Sequence, residues 1–290
     1  MGRLDPIGST TLRLWRAVVY LAWTIALMPV QGIGLLLGCR WVAELPVFYH
    51  RHCCRILGIK VRPIGHSVNA RPVLFVSNHI SYTDISVLGS LIPGSFVAKT
   101  EIAGWPIFGW LAKLQRSVFV DRQVRSTARQ RDAIAERLAA KDALILFPEG
   151  TSSDGNFVLP FKSALFSVVF GRDGDQQIAV QPVSIAYTRL DGMPIGRRLR
   201  PYFAWYGDMT LPSHLWRFLG LGTVGVVVEF HSPTTVAEWR SRKELAGFCY
   251  DRISAGVGRH LSGRDDEPSA AAPRPRHDPV SSDIPASAAV

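Results

Sequence analysis

Cysteine is scarce in this chain. It has four (Cys39, Cys53, Cys54 and Cys249), and no two stand in a CxxC pair. That usage gives neither a metal-knuckle spacing nor a disulfide framework, so buried thiols in a reducing compartment are expected. Charge is also thin, at 19% Asp, Glu, Lys and Arg against 47% hydrophobic residues, which is enough apolar side chain for a sizeable core. Nor is the charge spread evenly. Residues 262–290 hold three arginines against five acids, so the net +10 leaves +12 on residues 1–261. A basic body suits anionic lipid headgroups, acidic partners or nucleic acid. Basic and aromatic residues are not interleaved as in RNA-binding sheets and no zinc-finger spacing occurs, so nucleic acid is not an expected partner. There is no internal repeat.

One long run has no charge at all. From Ala17 to Cys39, 23 residues carry none, with Arg13 and Arg16 before them and Arg40 after. An apolar helix of that length can span a bilayer. A signal peptide would have a shorter apolar core and a small-residue cleavage site, which is not evident. Pro29, Gln31, Gly32 and Gly34 interrupt the run near its middle, which suits a re-entrant or interfacial helical hairpin at least as well as a span. Trp15, Trp23 and Trp41 occupy places typical of interfacial aromatics. Membrane contact is therefore expected, with its topology open. The amphipathic stretch Trp41 to Leu57 follows, with His50, Arg51, His52 and Arg55 at polar positions.

Beyond it, short apolar runs predict strands at Val61–Ile64, Pro72–Ser77, Ser95–Ala98, Ser117–Val120, Ala143–Phe147, Ile178–Ala186 and Val224–Phe230. Helical patterns lie at Asp84–Leu91, Ile102–Leu114, Val124–Ala140, Lys162–Phe170 and Lys243–Leu261. Alternation of the two argues for an α/β layer fold. From Ser262 onward 16 of 29 residues are Ala, Ser or Pro with no apolar periodicity, as expected of a disordered tail. The chain thus divides into a membrane-associated helical segment (1–57), a catalytic-type domain (58–261) and a tail (262–290).

Two segments hold residues suited to chemistry. The first runs Ser77-Asn78-His79-Ile80-Ser81-Tyr82-Thr83-Asp84, between an apolar strand and an apolar helical run. Ligand crevices in α/β sheets form at such strand ends. With His79 in the loop and Asp84 in the first helical turn, the carboxylate can fold back and orient the imidazole while its other nitrogen takes a proton. A competing reading exists: Ser81-x-x-Asp84 is also a capping box, in which Asp84 serves only the helix. The second segment, Phe147-Pro148-Glu149-Gly150-Thr151-Ser152-Ser153-Asp154-Gly155, leaves another apolar strand. A Glu after a strand and a Pro, followed by a Gly that lets backbone approach a ligand, suggests a binding loop, although these are turn residues too.

Together these segments resemble the glycerolipid acyltransferases, the family of the lysophosphatidic acid acyltransferases. Asn78, His79 and Asp84 match its Asn-His-x-x-x-x-Asp motif, and Phe147 to Thr151 with Ser153 match Phe-Pro-Glu-Gly-Thr-Arg-Ser. Val118-Phe119-Val120-Asp121-Arg122 and Val180-Gln181-Pro182-Val183-Ser184 are similar to the other two motifs, and the likeness spans roughly Val61 to Thr235. The resemblance implies an α/β fold with a mixed sheet flanked by helices, behind an N-terminal membrane-associated segment. It implies His79 as general base and Asp84 as its orienting partner. Glu149, Gly150 and Thr151 are implied to bind the acceptor, and Lys99 and Arg122 to hold an anionic headgroup. The implied reaction moves an acyl group from acyl-CoA or acyl carrier protein to a lysolipid hydroxyl, without metal or cofactor, at the cytoplasmic face of a bacterial inner membrane. A catalytically idle lipid-binding or scaffold protein is the alternative.

One departure matters for the acceptor. Ser152 stands where the family usually has Arg, and a hydroxyl cannot replace a guanidinium fork on phosphate. Leu159-Pro160-Phe161-Lys162-Ser163 and Trp205-Tyr206-Gly207-Asp208-Met209 look like the bacterial branch that includes lyso-ornithine lipid acyltransferases. There the acceptor hydroxyl sits on a fatty acyl chain and no phosphate is present. Both acceptors remain open at this point. Gly65-His66-Ser67-Val68-Asn69 lacks the closing Gly of a nucleophile elbow, and Gly32-x-Gly34-x-x-x-Gly38 misses the dinucleotide spacing.

Overall fold

A computed structural model describes residues 8–120, 134, 136–170 and 178–264. Among them, β1 (Ile59–Ile64), β2 (Val73–Ser77), β3 (Ser95–Lys99), β4 (Val118–Val120), β5 (Ala143–Leu146), β6 (Ala179–Leu190), β7 (Met193–Pro194), β8 (Val224–Phe230) and β9 (Thr234–Thr235) form one sheet. Its order is β1-β8-β6-β2-β5-β3-β4, with β7 and β9 also on β6. Neighbours from β6 to β4 are parallel, β8 is antiparallel to β6, and β1 is parallel to β8. The mixed α/β sheet implied by the motifs is what the chain forms.

The apolar runs alternate without a polar face because both faces are covered. All five residues of β2 are buried. Val73 and Phe75 join a core with α2 (Leu45–Leu57) and α3 (Thr83–Gly89). Leu74 and Val76 join a second core under α6 (Arg242–Leu261), with Leu245, Cys249 and Ile253. Burying one such side chain fully contributes about 1.5–3 kcal/mol, so the central strands anchor the layers.

The helical pattern at Ile102–Leu114 divides into a 3-10 turn, Thr100–Gly104, and α4 (Phe108–Leu114). The proline explains this. Trp105 precedes Pro106 and is extended, at φ −73° and ψ 135°, since the pyrrolidine ring disfavours helical backbone before it. Lys162–Phe170 becomes a 3-10 run over Ser163–Val169. The helix α5 (Leu211–Leu219), opened by Pro212, has no counterpart in the sequence reading. Asp121, Arg122 and most of the helix expected over 124–140 lie outside the described residues, as does the tail beyond Arg264.

The N-terminal run is one helix, α1 (Thr10–Leu36), continuous through Pro29. Of the two forms left open by the sequence, the hairpin bend at Pro29–Gly34 is absent from the helix. The chain instead turns back past Gly38, at φ +65°, through a 3-10 turn (Arg40–Ala43) into α2. Side-chain anchors hold α1 along the sheet domain. Arg16 Nη1 donates to the carbonyls of Leu219 (3.2 Å) and Leu221 (2.5 Å), and Nη2 to that of Gly222 (3.2 Å). These oxygens lie at and just beyond the end of α5, where unpaired carbonyls favour a cation. Gln31 Nε2 donates to the carbonyls of Val42 and Leu114, tying the far end of α1 to α4. By length and composition α1 is apolar enough to cross a membrane. Leu14, Trp15, Val18, Ile25, Ile33 and Leu36 on its outer side are exposed.

Candidate active site

The sheet register brings the two motif loops together. Val76 of β2 pairs with Leu146 of β5, and three residues further on in each chain segment stand His79 and Glu149. Asn78 carries β2's contact with β6 past the strand end. Its side chain donates to the Ile185 carbonyl (3.0 Å) and accepts from the Ile185 amide (2.8 Å), as a strand backbone would. Ser153 N donates to the His79 carbonyl at 2.9 Å, joining the loops directly.

His79 Nδ1 lies 2.9 Å from Asp84 Oδ2, with Asp84 fully buried and the imidazole 19% exposed. The ring stacks on Phe147 at 4.2 Å and 20°, which fixes its plane. With Nδ1 committed to Asp84, Nε2 is the nitrogen left to accept a proton. Asp84 Oδ2 also accepts from the amides of Ile80 (2.6 Å) and Ser81 (2.9 Å). The two readings of this carboxylate are therefore compatible: it ties the turn before α3 and holds the imidazole with the same oxygen. The reciprocal half of a capping box is missing, for the Ser81 hydroxyl has no hydrogen-bond partner among the described residues.

Glu149 is turned to backbone. Its Oε1 accepts from His79 N at 2.8 Å and its Oε2 from Leu159 N at 3.1 Å, so it reaches the site through the histidine that it holds. Burial pushes its carboxyl up to about 8, and the two amide donors pull the other way. Gly150 and Thr151 line a cavity of about 920 Å3 shared with His79 and Lys99. Apolar walls of this cavity come from α1, α2, α4 and α5, with Leu27, Met28, Pro46, Leu111 and Leu215 among them. Arg122 lies outside the described residues. His214 and His231 are buried.

Sequence reasoning did not find Tyr187. From β6 its hydroxyl donates to Asp84 Oδ1 at 2.8 Å and accepts from Thr83 Oγ1 at 2.6 Å, wholly buried. Nothing in the run Ile185-Ala186-Tyr187-Thr188 marks it out, because its partner is 103 residues away.

A protein-family model described as Acyltransferase matches residues 58–186. A lyso-ornithine lipid O-acyltransferase of Brucella abortus is 44% identical over 260 residues, covering 88% of this chain and 97% of that protein. This chain belongs to the acyltransferase family. A second lyso-ornithine lipid O-acyltransferase, from Rhizobium meliloti, is 40% identical over 87% of this chain and 88% of its own. A 1-acyl-sn-glycerol-3-phosphate acyltransferase of Neisseria gonorrhoeae is 32% identical over 69% of this chain and 75% of its own. The crystal structure of a Thermotoga maritima 1-acyl-sn-glycerophosphate acyltransferase shares the fold, with a TM-score of 0.59 at 23% identity over 85% of this chain and 97% of that one. The protein is thus an acyltransferase by family, which sets the idle-scaffold alternative aside.

For this acyltransferase, Tyr187→Phe is expected to cost about 1.5–3 kcal/mol of stability, the worth of a hydrogen bond to a charged group. The rate should fall several-fold in kcat, with both KM values little changed, since the hydroxyl touches only Asp84 and Thr83. Steady-state kinetics and denaturant unfolding check this. Wild-type kcat in the variant would remove Tyr187 from the positioning of Asp84.

Proposed function

We propose that the protein transfers a fatty acyl group from a thioester donor, acyl-CoA or acyl carrier protein, to the hydroxyl of lyso-ornithine lipid at a membrane surface. The observation that carries this reading is the His79–Asp84 pair, with Nε2 left free at a large, mainly apolar cavity. His79 Nε2 takes the acceptor's hydroxyl proton as its oxygen attacks the thioester carbonyl. The carbon–sulfur bond breaks, and the imidazolium returns the proton to the departing thiolate. Asp84 stabilises that imidazolium. The thioester is already activated, so direct transfer needs neither metal nor acyl-enzyme.

The acceptor choice rests on Ser152. Its hydroxyl donates to the Trp205 carbonyl, so it is occupied within the protein. No guanidinium fork stands at this position to meet a phosphate. The protein's exposed apolar ridge along α1, with Trp110 of α4 and Ile107 just before it, suits burial in the headgroup boundary of a bilayer while Arg16 keeps α1 against the domain. We place the enzyme at the cytoplasmic face of a bacterial inner membrane.

The test offers purified enzyme lyso-ornithine lipid and lysophosphatidic acid separately with one acyl donor. The expected result is a kcat/KM at least about tenfold higher for lyso-ornithine lipid. A preference for lysophosphatidic acid would overturn the acceptor assignment and leave the reaction type standing.

A further inference from the structure

We propose that the rim of the cavity beside His79 is a subsite for a zwitterionic headgroup, with Lys162 taking its carboxylate and the wall of Tyr82, Trp105 and Trp205 with Glu101 taking its ammonium. This rests on the acceptor reading above. All five residues line the cavity that contains His79.

The anion end begins at Gly150. Its φ of +67° carries the chain sharply away from Glu149, and a methyl group placed on it would lie 2.8 Å from Lys162 Nζ. The ammonium therefore sits over the loop whose preceding residue holds the His79 amide. Lys162 N is in turn fixed to the Pro148 carbonyl at 2.9 Å, which anchors this residue's backbone beside the loop.

The cation end is aromatic, and Ser152 helps to build it. Trp205 is pinned through its carbonyl by Ser152, through its amide to the Ile80 carbonyl (3.0 Å), and through its indole N–H to the Met209 carbonyl (2.8 Å). Trp105 meets it edge-to-face at 6.1 Å and 82°, and Tyr82 does so at 6.0 Å and 66°. The Tyr82 hydroxyl is 3.1 Å from His214 Nδ1, which holds that ring in turn. Edge-to-face packing turns successive rings through large angles, and ring faces carry the negative end of the quadrupole. Glu101, exposed in the 3-10 turn just before Trp105, adds a full negative charge to the same rim. A dianionic phosphomonoester gains nothing from such a wall. An amino-acid headgroup does. In lyso-ornithine lipid the carboxylate lies a few bonds from the reacting hydroxyl, and the ammonium extends beyond it on a short aliphatic arm. Lys162 above Gly150 and the aromatic wall supply the two charges that this molecule needs.

The experiment compares three acceptors with a fixed donor: lyso-ornithine lipid, the same lipid acetylated on its side-chain amine, and its carboxyl methyl ester. Wild-type enzyme is expected to lose roughly 5–30-fold in kcat/KM on either modification, the range of a partly desolvated cation–π or ion-pair contact. Glu101→Gln and Trp105→Leu should raise KM for the parent lipid and abolish the discrimination against the acetylated form only. Lys162→Met should abolish the discrimination against the ester only. The KM of the acyl donor should stay unchanged in all three variants, a pattern that general damage to the fold would not produce. If wild-type enzyme acylates all three lipids equally well, the subsite is refuted while the acceptor reading survives. If it acylates none of the three while accepting lysophosphatidic acid in the preceding test, the acceptor reading itself fails and the subsite with it. Because Glu101 is exposed, its variant tests the cation end without threatening the core.

Discussion

His79→Ala is expected to remove acyl transfer almost completely, lowering kcat by roughly 10²–10⁴-fold, the usual worth of a positioned general base. An acceptor alcohol holds its proton far above neutral pH, so attack without a base meets most of the barrier undiminished. The substitution is also clean. The imidazole is partly exposed and, among the described residues, its side chain hydrogen-bonds only to Asp84. Its backbone amide, which anchors Glu149, survives in alanine. Stability should therefore change by about 1 kcal/mol or less. Asp84→Asn is a poorer probe, because the same carboxylate ties the Ile80 and Ser81 amides and accepts from Tyr187, so rate and fold would suffer together. Radiolabelled acyl transfer with vesicle co-sedimentation measures His79→Ala. Normal turnover would sink the base assignment, and loss of vesicle binding would mean that the side chain serves the fold.

Much of this arrangement was legible from residues alone, because local chemistry dictates it. Val73–Ser77 and Ala143–Leu146 are apolar at every or nearly every position, and only a strand covered on both faces needs that. A His and an Asp on either side of a helix start can meet, whatever the rest of the chain does. What stayed hidden depends on register and distance. No local pattern says that Val76 lies beside Leu146, and only that pairing puts Glu149 under the His79 amide. Glu149 therefore read as an acceptor contact, when its carboxylate faces two backbone amides. Tyr187 meets Asp84 from β6, 103 residues along the chain, and carries no local sign of it. Pro29 left the topology open for another reason. A proline removes one helical hydrogen bond, but α1 gains Gln31 and Arg16 contacts to the domain on either side of it, and tertiary anchoring overrides the local penalty.

Glu149→Ala is expected to produce the second large effect, and by a different route. It strips the acceptors from His79 N and Leu159 N, leaving two part-buried donors without these partners, at up to about 1–3 kcal/mol each. Activity should fall with stability, since the amide set loose belongs to His79, the proposed base. Glu149→Gln keeps one carbonyl oxygen and hence one of the two bonds, so it should fall between wild type and alanine. The pH dependence gives a second signature. Burial raises this carboxyl from 4.5 to about 8, so in that window the folded protein binds more protons here than the unfolded chain does. This group's contribution to stability is therefore highest at low pH and declines as pH rises through the window. Neither the Gln nor the Ala variant has that slope. Urea unfolding at about pH 5 and about pH 8.5 should show wild type losing stability between the two through this group, and both variants losing less. A contact with the acceptor predicts the opposite pattern: a raised acceptor KM in Glu149→Gln, with stability and its pH slope unchanged. The two hydrogen bonds to backbone make the first outcome the one that this geometry requires.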